Sequence, residues 1–326
     1  LQAGAIVVPL NLMLTREEIN FIIKDAGCST LVIHPSILEK LHKAPQQASA
    51  LGLKRIVVLD QTTVARAGEA PPPTPVAMAA DDTCVFLYTS GTTGRPKGAM
   101  LSHQNFLADV KALDDVSDLG PEDNFLCVLP MFHSFAWTTS VLLPLYLGST
   151  ITIKESFHPR DTLKTLAEEN ITVFCGVPAM YAVLWRLAEK SQFKSLKLAI
   201  SGGAPLAAEI QRGFEAKFAF PLVEGYGLSE AAPVVCLNPL DGIRKPGSIG
   251  LPLPGMEVKV VDDNDQEVPV GEVGELVVRG PNVMAGYYNQ PEETAAALRG
   301  GWLHTGDLAR RDEDGYFYIV DRKKDM

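Results

Sequence analysis

The chain has 326 residues, 46% of them apolar, which is enough for a buried core spread over about two domains of roughly 150 residues each. Its 29 Lys and Arg against 39 Asp and Glu leave a formal charge of −10, which excludes a broad surface for nucleic acid or anionic membrane, so any polyanion must be held locally. The five cysteines are dispersed, odd in number and without a CxxC pair, which argues against a disulfide framework or a cysteine zinc site and favours a reducing compartment.

The first residues, LQAGAIVVPL, have no Met and no Lys/Arg-led apolar leader, as if the chain began in mid-sequence. Thr15 and Glu18 have capping-box spacing, apolar residues recur at Ile19, Ile22 and Ile23, and Gly27 stands where that helix should stop. STLVIH then reads as a buried strand, and the proline-rich stretch at residues 67–78 as a surface crossover. Residues 124–153 contain no Asp, Glu, Lys or Arg, a length that on charge alone suits a membrane span. Pro130, His133, Pro144 and Gly148 break that run, so a strand, a loop, a helix and a second strand are expected instead.

DTLKTLAEEN reads as a helix ending near Asn170 that feeds an apolar strand from Ile171 to Cys175, and SLKLAISGG supplies the next strand. Pro205 is expected in the first turn of the helix that follows. Strands alternating with helices predict an α/β domain with a largely parallel sheet over residues 1–245. Beyond Lys245, two β-rich runs around an acidic turn and a hairpin across Asp312 to Gly315 predict a small antiparallel β domain over residues 246–320.

The most informative segment is YTSGTTGRPKG, from Tyr88 to Gly98. Its glycines let backbone N–H groups turn toward a phosphate, Thr89, Ser90, Thr92 and Thr93 add hydroxyl donors, and Lys97 adds charge. A Walker loop would lead straight from its Lys into a helix. Here Pro96 precedes Lys97, Gly98 follows it, and AML continues as a strand until Ser102 can cap a helix at His103.

This segment resembles the signature of the adenylate-forming, AMP-binding enzymes, which include acyl-CoA synthetases, peptide-synthetase adenylation domains and beetle luciferases. LQAGAIVVPLN, PMFHSFAW, SGGAPL, EGYGLSE, GELVVRGPNVMAGYYN, GWLHTGD and DRKKDM occur in the family's order, so the resemblance covers essentially the whole chain. It is strongest to long-chain fatty acid–CoA ligases. The implied fold is the family's large N-terminal domain, α/β, with mostly parallel sheets layered with helices plus a small distorted β-barrel subdomain. The implied cofactors and co-substrates are ATP, Mg²⁺ and CoA, with a small carboxylic acid as substrate and no nucleic acid partner.

The resemblance places Thr89, Ser90, Gly91, Thr92, Thr93, Gly94 and Lys97 on the phosphates, with Thr89 and Glu230 holding the metal. A carboxylate suits Mg²⁺, which prefers hard oxygen ligands. Gly203, Ala204 and Pro205 together with Glu224, Gly225, Tyr226, Gly227 and Leu228 would line the adenine site, with Ser229 at the α-phosphate. Tyr226, flanked by glycines, offers a flat stacking surface, although an aromatic side chain also serves a core. Asp307 either caps a turn or, as the resemblance implies, accepts both ribose hydroxyls, with Arg322 reaching the same region. Thr89, Lys97, His133 and Glu230 form the expected catalytic set, His133 as a positioning group with no general-base role.

For the acid, His133, Trp137, Val177, Gly202, Gly203, Ala231 and Val234 are the implied contacts, with Trp137 at the mouth of an acyl tunnel. FHSFAW lacks the aspartate with which amino-acid-activating members hold an ammonium, so a fatty acid comes first and an aryl or aryl-propenoic acid second. A non-catalytic nucleotide- or acyl-binding module is the alternative of a different class. Family members continue past DRKKDM into a C-terminal domain bearing a lysine that reaches the reacting groups. The expectation is therefore a fragment whose residues 321–326 begin a hinge, which binds nucleotide but forms adenylate poorly. A cytoplasmic location is expected, with a homodimer and at most a peripheral membrane contact left open.

Overall fold

The structure is a computed structural model and describes residues 3–40, 49–72, 74–90 and 95–323. The central sheet has seven strands in the order β11 (Leu251–Pro252), β10 (Val234–Leu237), β9 (Leu222–Gly227), β8 (Leu198–Ser201), β7 (Val173–Gly176), β5 (Asn124–Cys127) and β6 (Thr150–Ile153). From β9 to β6 every pair is parallel, and β10 and β11 are added antiparallel at one side. Every residue of β7 and β8 is buried, as continuous apolar strands covered on both faces should be.

Before this sheet, β1 (Thr30–Ile33) and β2 (Arg55–Val58) pair in parallel, and β3 (Thr83–Ser90) with β4 (Pro96–Ser102) forms an antiparallel hairpin. A short later strand, β14 (Gly286–Tyr287), adds to β4. Residues 257–322 supply a four-stranded antiparallel sheet in the order β12 (Glu257–Val261), β13 (Gly274–Arg279), β15 (Leu303–Arg311) and β16 (Phe317–Arg322). This sheet and the β3–β4 hairpin close on a shared core, in which Val85, Leu87 and Leu101 of the hairpin pack with Val260, Leu276, Val278 and Leu303.

Local sequence explains the helix boundaries. At Arg16–Asp25 the Thr15 N–H donates to Glu18 Oε2 at 2.7 Å while the Glu18 N–H returns to Thr15 Oγ1, and the chain leaves through Gly27 at φ +61°. Ser102 and Asn105 form a second reciprocal cap at His103–Asp114. The uncharged stretch holds β5, helical segments Ser134–Ala136, Trp137–Leu142 and Leu143–Leu147, and then β6. No helix among the described residues is long and apolar enough to cross a membrane.

Pro205 does not open its helix, which runs Ala208–Phe218. The Leu206 N–H donates to Glu224 Oε1 at 2.9 Å, so residues around Pro205 stay extended along the cavity and the helix starts three residues later.

Candidate active site

A cavity of about 1200 Å³ lies where β8, β9 and the segment after β5 deliver Gly202, Tyr226 and His133. These are carboxyl ends of parallel strands, the position at which open α/β sheets bind ligands. The hairpin β3–β4 and the β15–β16 pair complete its walls with Thr89, Lys97, Asp307 and Arg322.

Thr89 and Lys97 are direct cross-strand partners, which brings the first hydroxyl and the last cation of the phosphate loop together. Thr89 Oγ1 donates to Glu230 Oε1 at 3.1 Å across 141 residues of sequence, and the Tyr287 hydroxyl donates to the same oxygen at 2.9 Å. One carboxylate and one hydroxyl fit Mg²⁺, which is commonly held by one or two carboxylates together with substrate phosphate and water. Lys97 is 5% exposed and ion-pairs with Glu293. Ser229, beside Glu230, shares a 3.2 Å hydroxyl contact with Ser134, joining the EGYGLSE segment to the segment after β5.

Elsewhere in the cavity lining, the Tyr226 hydroxyl donates to Asp307 Oδ2 at 2.6 Å, and Arg322 Nε stands 3.1 Å from Asp307 Oδ1. Burial raises the Tyr226 hydroxyl pKa, and the neighbouring Asp307 charge adds to that shift. Gly227 lies against β10 so closely that a methyl group there would stand 2.0 Å from the Pro233 carbonyl oxygen. Only glycine allows β9 and β10 to bring Tyr226 and Glu230 to one cavity. Glu224 is 3% exposed, and its Oε2 has no partner among the described residues while Oε1 accepts from the Leu206 N–H. Burial pushes its carboxyl up to about 7.

Gly203, Ala204, Pro205, Gly225, Leu228 and Ser229 all face the cavity, as do Gly202 and Val234. Phe135 also lines it, its ring set so that a methyl on Gly202 would lie 3.2 Å from Cζ. His133 caps the Ser134–Ala136 segment by accepting the Phe135 N–H at Nδ1, 3.2 Å away. That acceptor role puts the ring proton on Nε2, and desolvation holds the imidazole pKa below its usual value. His133 thus offers a donor, which suits holding a carboxylate.

Other expected contacts stand elsewhere. Trp137 packs against the core shared by the hairpin and the four-stranded sheet and is not among the residues lining the cavity, standing about half a helical turn from Phe135, which is. Ala231 is buried in the same core, and Val177 sits behind Gly203, 3.7 Å from where a methyl there would lie. Gly91, Thr92, Thr93, Gly94 and the Ser90 side chain lie outside the described residues, as do residues 324–326 of the hinge motif. Sequence reasoning missed Phe135, Tyr287 and Glu293. Tyr287 and Phe135 stand inside quoted motifs, but nothing local marks their partners, and Glu293 is an unremarkable helix-start acid.

The model of the AMP-binding enzyme family matches residues 1–288. A feruloyl-CoA synthase of Amycolatopsis sp is 40% identical over 332 aligned positions, which take in 100% of this chain and 65% of that protein. A long-chain-fatty-acid–CoA ligase of Bacillus subtilis is 43% identical over 252 positions, 75% of this chain and 45% of its own length. The crystal structure of ATP-bound MatB from Rhodopseudomonas palustris superposes with a TM-score of 0.91 at 34% identity, over 100% of this chain and 65% of that one. The chain thus spans a little under two thirds of the length of the relatives it matches from end to end.

Proposed function

The chain belongs to the AMP-binding enzyme family, and from that premise we propose that the whole protein activates a fatty acid with ATP to an acyl-adenylate and passes the acyl group to CoA as a thioester. The observation that carries this reading is the meeting, in one cavity, of Thr89, Lys97 and Glu230 on one wall with Tyr226 and Asp307 on another. The first group suits a polyphosphate and its metal, and the second an aromatic base and a diol.

In this reading Thr89 and Glu230 hold Mg²⁺, which when bound neutralises phosphate charge. Lys97 places an ammonium at the phosphates as pyrophosphate departs. Tyr226 stacks the base, and Asp307 accepts the ribose hydroxyls with Arg322 beside it. His133 Nε2–H orients the acid, whose apolar body lies along Gly202, Val234 and Phe135. Holding acid and phosphorus in line supplies much of the rate, because the enzyme itself forms no covalent bond in this step. The β-rich region from residue 246 is read as a subdomain that brings Asp307 and Arg322 to the nucleotide.

An aryl or aryl-propenoic acid is the second reading. It is favoured by the Phe135 ring lining the cavity beside Gly202 and by Trp137, the expected tunnel gate, standing outside that lining and packing on the neighbouring core. The feruloyl-CoA synthase relatives point the same way.

Calorimetry with MgATP tests the nucleotide site: Glu230→Ala and Tyr226→Ala should each weaken binding roughly tenfold, and unchanged affinity in both would remove the site. A panel of fatty acids of rising length beside cinnamic-type acids, assayed for CoA thioester on the whole protein, separates the two substrate readings.

A further inference from the structure

A strap from Met284 to Thr294 crosses the root of the phosphate loop with its register determined at both ends. The Met284 N–H donates to the Glu230 carbonyl at 2.8 Å, Ala285 to Met100 at 3.0 Å and Tyr288 to Gly98 at 2.8 Å. β14 pairs Tyr287 with Ala99, two residues past Lys97. Farther along, Thr294 Oγ1 accepts the Tyr287 N–H at 2.9 Å and donates to the Gln290 carbonyl at 2.8 Å. A methyl on Gly286 would lie 2.5 Å from Thr294 Cγ2, so the turn admits no side chain there. The strand that carries Lys97 therefore also sets where Tyr287 and Glu293 stand.

Those two side chains meet the two charged groups of the phosphate wall. Tyr287 donates to Glu230 Oε1, the oxygen that Thr89 also reaches, and burial together with the Glu230 charge raises the phenol pKa. Glu293 ion-pairs with Lys97, whose ammonium also lies 5.4 Å from the Tyr287 ring centroid. A buried ammonium is costly without a counter-charge, and a four-carbon stem ranges over many rotamers unless it is held. Glu293 meets both needs, and its side chain keeps 38% of its surface exposed, so it remains hydrated while it does so.

We propose that Glu293 and Tyr287 are positioning residues for the polyphosphate: Glu293 holds the Lys97 ammonium and Tyr287 the Glu230 carboxylate, so that both are in place before the nucleotide arrives. The inference rests on the nucleotide reading above and adds two residues to it. A ligand that meets groups already in place spends less of its interaction energy on ordering them. The benefit falls on ATP, whose outer phosphates reach Lys97 and the metal, and not on AMP, which lacks them.

The test is calorimetry of the full 326-residue chain with MgATP and, separately, with AMP. Glu293→Gln keeps an accepting oxygen and drops the charge, and Tyr287→Phe keeps the ring and drops the donor. Each should weaken MgATP roughly tenfold and leave AMP within about twofold, with Glu293→Asp recovering most of the loss. A parallel loss for MgATP and AMP would mark a structural role only, and unchanged or tighter MgATP binding would mean that Glu293 and Tyr287 position nothing; either overturns the proposal. Wild-type chain that binds neither nucleotide would sink the nucleotide reading, and this inference with it, a result distinct from wild-type binding that the variants do not alter. Thermal melting establishes that each variant is folded at the titration temperature, and Glu293→Asp against Glu293→Gln decides the matter if Tyr287→Phe does not fold.

Discussion

The Tyr226 hydroxyl donates a 2.6 Å hydrogen bond to Asp307 Oδ2, tying β9 of the central sheet to β15 of the antiparallel sheet. With Arg322 at Oδ1, both carboxylate oxygens of Asp307 are engaged, so ribose hydroxyls must share or displace these partners. Tyr226→Phe therefore separates ring from hydroxyl. It should lower stability by about 1 kcal/mol, the usual worth of one hydrogen bond, yet leave MgATP affinity unchanged or slightly tighter because Oδ2 is freed. Tyr226→Ala should weaken binding roughly tenfold through loss of the stacking face. Urea unfolding and calorimetry on the same two variants read both effects, and weaker binding by Tyr226→Phe would show that the hydroxyl itself serves the ligand.

Glu224 should leave a signature in stability against pH. Burial raises its carboxyl to about 7, against the ordinary 4.5, so between these values the native state keeps a proton that the unfolded chain has lost. The native state then binds more protons, and stability falls as pH rises through that window. The full cost, on the order of 3 kcal/mol, is present above pH 7 and absent below about pH 4.5. Glu224→Gln should match wild type near pH 4 and exceed it at pH 8. Parallel curves in urea denaturation would mean that the carboxylate is stabilised by a group at its Oε2.

Gly202 and Phe135 stand close together on the wall proposed for the acid. Gly202→Ala brings a methyl within 3.2 Å of the Phe135 ring, which must give by a few tenths of an ångström, so the two crowd each other where both line the cavity. The expected result is a smaller shift in melting temperature from bulky acids added with MgATP, while short acids keep theirs. Phe135→Leu in the same chain should restore the bulky acids, and failure of that rescue would place the acid elsewhere.

His133 can be tested through its two nitrogens. His133→Asn keeps an oxygen that can accept the Phe135 N–H and so cap the following helix, but it removes the Nε2 donor. Stability should hold, while acid binding weakens roughly fivefold. His133→Ala should lose about 1 kcal/mol of stability as well. If His133→Asn binds acids as tightly as wild type, the ring serves only as a cap.

Much of the fold was legible locally. Thr15 with Glu18 and Ser102 with Asn105 sit three residues apart, and each pair caps its helix by that spacing alone. The alternation of apolar runs with helical periods marked the strands from β5 to β8, since burial on both faces needs continuous apolar sequence. Pro205 shows where such signals stop: its fixed φ suits a first helical turn, but the Glu224 carboxylate takes the Leu206 N–H and delays the helix. Motif position points to Trp137, but two residues of helix separate it from Phe135, about half a turn, and it is Phe135 that lines the cavity.

By itself the sequence determined the local elements and the family, because caps, periodicity and YTSGTTGRPKG are properties of neighbouring residues. Only the tertiary structure decided which partner each charged or polar group meets. Tyr287 reaches Glu230 over 57 residues, Tyr226 reaches Asp307 over 81, Thr89 reaches Glu230 over 141, and Lys97 reaches Glu293 over 196. No spacing rule spans such separations. They follow from strand register and from close approaches such as that at Gly227, where the packing of one sheet on another selects the few groups able to satisfy a buried charge.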